Sequence, residues 1–121
     1  MKKLKASKYF VKGKNGIGYV SSDFQEHFSS TEFEVPKKLK LETRVLEKNM
    51  NDGEILKEFQ PKESTLGELA WALGNDKLSK NGYANIFYIR DEKNTLWAVS
   101  AFWYSSYGDW YVSVGSVASL D

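Results

Sequence analysis

The sequence predicts an α+β domain in which an antiparallel sheet packs against a single short helix. Two observations predict this class: three strand-like segments follow one another near the C-terminus, and one segment before them has a capped, amphipathic helical pattern. A chain of 121 residues, 41% of them hydrophobic, is long enough for one domain with a real core. We therefore treat residues 1–121 as a single domain and expect residues 1–7 to fray.

The three predicted strands form a meander at about residues 84–90, 96–104 and 110–117. Asn94 and Gly108 lie in the two connecting turns, where they are the residues best able to adopt a positive φ. The only charged side chain between Thr95 and Leu120 is Asp109, which we assign to the second turn.

The predicted helix spans about residues 65–73 and packs on one face of the sheet. Thr65 and Glu68 have the spacing of a capping box, in which each side chain satisfies a free backbone N–H group. The apolar residues fall on one helical face: Leu66, Leu69, Ala70 and Leu73. Gly74 stands where a left-handed C-cap is expected.

The N-terminal third predicts a hairpin, a short helical segment and a strand. Residues 9–11 and 17–20 are apolar segments on either side of a glycine-containing turn, which predicts a hairpin. Phe24 and Phe28 are four residues apart, as in a short helix. Residues 32–35 predict a strand that ends at the following proline.

A second hairpin is predicted in the middle of the chain. Residues 39–45 alternate between apolar and charged side chains, as a half-buried strand does. Asn51–Gly53 has the composition of a tight turn, and Ile55, Lys57 and Phe59 continue the alternation into a return strand. The N-terminal part therefore consists of two hairpins in this interpretation.

The charge balance and the lack of cysteine exclude several function classes. The formal net charge is +1, and only Arg44 and Arg90 among the 17 basic residues are arginine, which disfavours a nucleic-acid binder. Six lysines precede the first acidic residue, Asp23, and we interpret them mainly as a solvated terminus. Without cysteine, a signal peptide or a membrane-spanning run, the expected location is the cytoplasm, with no membrane association.

Both faces of the meander carry large apolar groups. If each turn is a type I turn followed by a bulge, one face carries Phe87, Ile89, Trp97, Val99, Ala101, Trp103 and Tyr111, and the other carries Ile86, Tyr88, Arg90, Leu96, Ala98, Phe102, Tyr104, Trp110, Val112 and Val114. The helix covers one face. Three candidates could cover the second face: the N-terminal hairpins, a partner protein or second copy of the chain, or a stacked base, sugar or other flat ligand.

No catalytic, metal or cofactor site is predicted. His27 is the only histidine, and together with Asp23 and Glu26 it does not make a ligand set of the usual kind. A lone histidine without a partnered serine does not indicate a catalytic triad, and no pair of carboxylates has a recognisable spacing. We therefore expect a protein that is not an enzyme.

A short segment resembles the first nucleic-acid-binding motif of cold-shock and related OB domains. Residues 15–20, Asn-Gly-Ile-Gly-Tyr-Val, are similar to that family's glycine-aromatic strand, and residues 24–28 are loosely similar to its second aromatic motif. The resemblance implies stacking by Tyr19, Phe24, His27 and Phe28, with Lys12 and Lys14 near phosphates. Ile17 stands where the family has an aromatic, and the helix at 65–73 has no counterpart in its barrel.

These observations together predict a non-catalytic interaction module. Its expected binding residues lie in the aromatic meander: Tyr88, Phe102, Tyr104, Tyr107 and Trp110. The expected partner is another protein or a second copy of the chain, with homodimerisation as the simplest form. The alternative is a single-stranded nucleic-acid-binding domain that uses Lys12, Lys14, Tyr19 and Phe28. A second alternative is a small carbohydrate-binding domain or an enzyme of uncharacterised type.

Overall fold

The computed structural model describes residues 3–41 and 50–117, and within these residues the chain forms six strands and four helices. In chain order they are β1 (Lys3–Lys5), α1 (Ala6–Tyr9), β2 (Ile17–Val20), α2 (Ser22–Phe28), β3 (Glu32–Glu34), α3 (Asp52–Phe59), α4 (Leu66–Gly74), β4 (Asn85–Arg90), β5 (Leu96–Tyr104) and β6 (Asp109–Ser116). The predicted α+β class is confirmed, and the predicted helix, α4, is accompanied by three others.

The C-terminal meander is confirmed and supplies three strands of a four-stranded sheet. β5 lies between β4 and β6, and both pairings are antiparallel. Asn94 and Gly108 have φ angles of 65° and 66° in the two turns, as predicted. The fourth strand, β2, pairs with β6 in parallel, so the sheet order is β2–β6–β5–β4.

The register of β6 differs by one residue from the prediction. Trp103 is paired with Trp110, and Phe102 with Tyr111. The cause is the turn at residues 105–108, in which the carbonyl of Tyr104 accepts hydrogen bonds from the N–H groups of Tyr107 and Gly108, at 3.1 and 2.9 Å. This turn is longer than the one assumed from the sequence, and β6 begins at Asp109.

The change of register exchanges the side chains of β6 between the two faces of the sheet, because side-chain direction alternates at every residue of a strand. Trp110, Val112 and Val114 move to the face that carries Val99. Tyr111 moves to the opposite face, beside Phe102. The predicted faces of β4 and β5 relative to each other are confirmed by the pairing of Ile89 with Trp97.

The predicted return strand at residues 55–59 is wrong, because this segment forms α3. Asn51 is the N-cap: its side chain accepts from the N–H of Glu54 at 2.9 Å, and the Glu54 carboxylate accepts from the N–H of Asn51 at 3.3 Å. Asparagine and aspartate favour N-caps as much as turns, which explains the misassignment. The partner strand predicted at 39–45 lies largely outside the described residues, and residues 39–41 are not in a strand.

The helix α4 begins as predicted but ends differently. Its N-cap, Thr65, accepts a hydrogen bond from the N–H of Glu68 at 3.2 Å. The predicted left-handed C-cap at Gly74 is wrong: Gly74 is the last helical residue, Asn75 caps the helix with φ of −110°, and the positive φ of 55° occurs at Asp76. The side-chain amide of Asn75 donates to the carbonyl of Trp71 at 2.8 Å and so satisfies a terminal acceptor.

The predicted N-terminal hairpin is also wrong, although its second strand exists. Tyr9 ends α1, and β2 pairs with β6 instead of with residues 9–11. The helical segment at Phe24 and Phe28 is confirmed as α2, which Ser21 caps by accepting from the N–H of Phe24 at 3.2 Å. The strand predicted at 32–35 is confirmed as β3, which pairs with β1 in residues where we expected fraying.

The main core lies between one face of the sheet and a layer made by α1, α2, β3 and α4. Its fully buried side chains come from both layers, and the largest are Phe24, Phe28, Ile17, Leu69, Val99 and Val112. A smaller cluster on the opposite face joins Ile55 of α3 to Tyr88 and Ala98. The sheet is therefore covered fully on one face and partly on the other.

Candidate functional site

The second face of the sheet has a covered half and an open half. α3 covers the first half, where Ile55, Tyr88 and Ala98 are only 8%, 3% and 7% exposed. The phenol of Tyr88 donates a hydrogen bond to Oδ1 of Asp52, at 2.7 Å, and so ties the sheet to the first turn of the helix. The open half lies beyond this helix, where the last residues of β5 pair with the first residues of β6.

Five aromatic side chains form the open half, and we call them the tyrosine platform: Tyr19, Phe102, Tyr104, Tyr107 and Tyr111. The ring of Tyr104 stacks on Tyr107 and on Tyr111, with centroids 5.1 and 5.0 Å apart and interplanar angles of 15° and 14°. Tyr111 also contacts Tyr19 and Phe102, each at 5.3 Å. The platform is thus one continuous set of aromatic contacts.

The register of the sheet brings these side chains together from three strands and a turn. Tyr111 is paired with Phe102 on one side and with Tyr19 on the other. Tyr104 is paired with Asp109, and Tyr107 lies in the turn between them. Cross-strand neighbours on one face are about 4.5–5.5 Å apart at Cβ, which is the distance at which aromatic rings meet.

The platform is accessible to a partner. The exposed fractions of Tyr107, Tyr19 and Tyr104 are 71%, 48% and 39%. Phe102 and Tyr111 are half-buried between them. Large aromatic groups that remain exposed beside one another are a common feature of binding surfaces.

One carboxylate, Asp109, lies within this surface. It is half-buried, and its Oδ1 is buried without a hydrogen-bond partner among the described residues. Its carboxylate is packed against Gly18, where a Cβ atom would collide with both side-chain oxygens. The pairing of β2 with β6 is irregular between Ile17 and Tyr19, so Gly18 provides the room that this carboxylate occupies.

The electrostatics around Tyr111 favour its neutral phenol. Burial raises the pKa of Tyr111 above its ordinary value, and the charge of Asp109 raises it further. The neighbouring phenols of Tyr104, Tyr107 and Tyr19 act in the same direction. The hydroxyl group of Tyr111 therefore stays protonated around neutral pH and can donate a hydrogen bond to a partner.

Three of the five predicted binding residues lie on the platform, and two do not. Phe102, Tyr104 and Tyr107 are brought together as described above. Tyr88 lies on the same face but beneath α3, 3% exposed. Trp110 lies on the core face, 5% exposed, where it makes an edge-to-face contact with Trp103 at 5.3 Å.

The residues predicted for nucleic-acid contact are brought together only in part, since Lys12, Tyr19 and Phe24 line one groove. Phe24 and Phe28 are 1% and 0% exposed, because α2 turns both into the core. Tyr19 is exposed and belongs to the platform. His27, in α2, is half-buried and stacks on Trp97 near the start of β5, whereas the platform lies at the end of that strand. Lys12 and Lys14 are exposed. Lys12 lines a groove of about 650 Å³ that reaches Tyr19 and also contains Glu26.

A second polar cluster joins His27, Trp97 and Asp91. The imidazole stacks on the indole at 4.0 Å and 26°, and its Nδ1 lies 4.0 Å from Oδ2 of Asp91. That carboxylate accepts from Trp97 Nε1 and from the N–H groups of Lys93 and Thr95, each at 2.9 Å. Burial raises the pKa of Asp91, but these hydrogen bonds and His27 outweigh it and lower the pKa below its usual value.

This second cluster has the contacts of a structural element. Asp91 holds the turn between β4 and β5 and orients Trp97 against His27. Within residues 3–41 and 50–117, no group of three or more histidine, aspartate or glutamate side chains is placed to hold a metal ion. In the same part of the chain, no helix has the length and apolar character needed to cross a membrane.

The sequence interpretation missed two members of the site, Tyr111 and Asp109. The turn assumed between β5 and β6 placed Tyr111 on the face opposite Phe102 and Tyr104, and it placed Asp109 in the turn instead of in the strand. A signal was present: pairing Trp103 with Trp110 places the tryptophans together, and leaves the tyrosines to share the other face. Tyrosine carries a polar hydroxyl and tolerates an exposed face better than a fully apolar ring.

No protein-family model matches the chain, and comparisons with curated proteins and with solved structures find no match either.

Proposed function

We propose that this chain is a non-catalytic binding module that holds another protein against the tyrosine platform. One observation supports this most: Tyr19, Tyr104 and Tyr107 stay exposed on a sheet face whose other half is covered by α3. Tyrosine presents a large contact area with little side-chain entropy to lose, and it is enriched where protein interfaces concentrate their binding energy.

Charge favours a protein over a nucleic acid as the partner. In β2 and in the parts of β5 and β6 that form the open half, the only charged residue is the acidic Asp109. A phosphate backbone would meet a negative charge there, whereas nucleic-acid binding normally depends on lysine and arginine. The exposed Lys12 and Lys14 are in the turn before β2, and the groove that Lys12 shares with Tyr19 also contains the acidic Glu26.

Charge also favours a different protein over a second copy of this chain. A symmetric dimer through the platform would bring two copies of Asp109 into one interface, and like charges at close range disfavour association. Light scattering at about 0.1 M and about 0.5 M salt tests this directly. We expect a monomer at both salt concentrations, and a stable dimer that Tyr107→Ser dissociates would assign the platform to self-association instead.

The proposal is tested by selecting ligands from a displayed library of random peptides. Wild-type protein is the bait, and each enriched peptide is then measured on the double variant Tyr104→Ser, Tyr107→Ser. Both rings are exposed, so this variant removes platform area without opening the core. We expect the enriched peptides to bind wild-type protein and to lose binding to the double variant.

The matched control is Tyr83→Ser. Among the described residues, Tyr83 is the most exposed large hydrophobic one, at 77%, and it lies in the loop before β4. Its replacement removes the same chemical group from a residue outside the ring contacts of the platform, so the selected peptides should bind this variant as they bind wild-type protein. Enriched peptides that bind all three proteins equally would contradict the proposed platform.

A further inference from the structure

We propose that the platform recognises an arginine side chain of its partner, with Asp109 as the group that binds the guanidinium. This inference rests on the proposed function and specifies the chemistry of its partner. It starts from the one charged residue of the surface, which has no counter-charge: none of the ion pairs between described residues includes Asp109.

Asp109 has two tyrosine neighbours on the platform face and a glycine on its other side. Across the strand pair it faces Tyr104, and two residues along β6 it is followed by Tyr111 on the same face. On its other side is Gly18, and the carboxylate occupies the space that a Cβ atom of that residue would need. Asp109 is half-buried, so it is partly accessible beside the tyrosines of the platform.

A carboxylate in this position is incompletely solvated. Its Oδ1 is buried and accepts no hydrogen bond from any described residue. An unpaired buried acceptor costs free energy, and the cost is larger for a charged group. A cationic donor from a partner removes this cost, which makes the free protein pre-disposed to bind one.

The shape of the site favours arginine among cationic donors. A guanidinium is planar, so it can lie against an aromatic ring while its N–H groups reach a carboxylate. Tyr19 and Tyr107 each have one ring neighbour in the platform, which leaves ring surface for a planar group. Tyr19 follows Gly18 directly and is 48% exposed, so its ring offers accessible surface next to the residue against which the carboxylate packs.

The test compares two small probes that differ in charge but hardly in shape. N-acetyl-arginine amide and N-acetyl-citrulline amide are titrated into ¹⁵N-labelled protein, and the amide signals of Gly18, Tyr19 and Tyr111 are followed by NMR. We expect the arginine probe to bind at least about ten-fold more tightly than the citrulline probe, because only the first makes a charge-assisted hydrogen bond. Asp109→Asn should abolish this difference.

The control variant is Asp76→Asn, which removes a carboxylate from an exposed loop position. Its side chain is 76% exposed and its positive φ is one that asparagine tolerates. It should leave the preference for arginine unchanged. The comparison of the two probes on wild-type protein is decisive even if Asp109→Asn fails to fold.

Two outcomes would overturn the inference, and they differ in what they say about the proposed function. If both probes shift the platform signals equally, the platform binds but does not recognise the charge, so the inference fails while the proposed function stands. If neither probe shifts those signals, arginine recognition is also rejected, and the peptide selection then decides separately whether the platform binds anything.

Discussion

Two glycines of the same helix, Gly67 and Gly74, should respond to replacement by alanine in opposite directions. Alanine stabilises a helix interior by about 0.8–1.0 kcal/mol relative to glycine, so helix propensity alone predicts a gain for both. The surroundings differ. A Cβ atom at Gly67 would overlap the backbone carbonyl of Glu34, whereas a Cβ atom at Gly74 would meet only Tyr9 Oη, at 4.0 Å.

The magnitude at Gly67 follows from this overlap. The obstructing atom belongs to the backbone of β3, so α4 or β3 must shift, and overpacking of this kind typically costs about 1–3 kcal/mol. Gly67 is the second residue of α4, so it realises only about 0.5 kcal/mol of the propensity gain, and after subtraction Gly67→Ala should lower the free energy of unfolding by about 0.5–2.5 kcal/mol. Gly74→Ala should raise it by about 0.5 kcal/mol, since the last helical residue realises only part of the gain.

Urea denaturation followed by tryptophan fluorescence measures both changes, with the slope of the transition as a check that both variants unfold in the same way. A left-handed C-cap at Gly74 would instead make Gly74→Ala destabilising. If Gly67→Ala were neutral or stabilising, α4 would not lie against the end of β3 as described.

Three further predictions concern the covered face, the turn cluster and the core. Tyr88→Phe should cost about 1.5–3 kcal/mol at pH 7 by removing the hydrogen bond to the Asp52 carboxylate. Burial, that hydrogen bond and the charge of Asp52 raise the pKa of Tyr88, so the phenol stabilises the fold fully below its ordinary pKa of 10.0 and loses this effect as the pH rises above it. Urea denaturation between pH 8 and pH 11 should therefore show a smaller loss of unfolding free energy in the variant than in wild-type protein. An equal loss would contradict this contact. Asp91→Asn should lower the free energy of unfolding at neutral pH and make it less sensitive to acid. Because folding lowers the pKa of Asp91, its carboxylate stabilises the fold above the pKa of the unfolded state, and this contribution is lost as the pH falls through the pKa of the folded state. An equal loss of unfolding free energy with acid in the two proteins would refute this. Trp110→Ala should cost about 3–5 kcal/mol in chemical denaturation, since the indole is 5% exposed, and a loss below about 1 kcal/mol would place it on the surface.

The local patterns of the sequence predicted the meander well because its signals are short-range. Alternating side chains identify β5, and Asn94 and Gly108 adopt the positive φ that their residue types favour. The capping of α4 by Thr65 depends on residues three apart, and α2 on apolar residues four apart. Each of these features is determined within a few residues of the chain.

The features that were missed depend on competition between similar local signals or on distant pairing. Asn51 has the residue type of both a turn and an N-cap, and the hydrogen bonds with Glu54 decide for the helix. β2 was assigned to a local hairpin, whereas it pairs in parallel with β6, more than 90 residues further along the chain. Local propensity contains no information about such a partner.

The candidate site was predicted in part for the same reasons. Phe102, Tyr104 and Tyr107 belong to the meander, whose strands were recognised. Tyr19 joins them through the distant pairing with Tyr111, and Tyr111 itself depends on a single residue of turn length. A surface assembled across strands is therefore sensitive to small errors of register, even when every strand is assigned correctly.

The most direct test of the platform is the affinity of the tightest selected peptide, measured by isothermal titration calorimetry on three proteins. The account predicts that Tyr104→Ser weakens binding by at least about ten-fold, or about 1.4 kcal/mol, because its ring contacts both Tyr107 and Tyr111. Tyr83→Ser should bind as wild-type protein does. Equal affinity of Tyr104→Ser and wild-type protein would contradict the claim that the tyrosine platform is the contact surface.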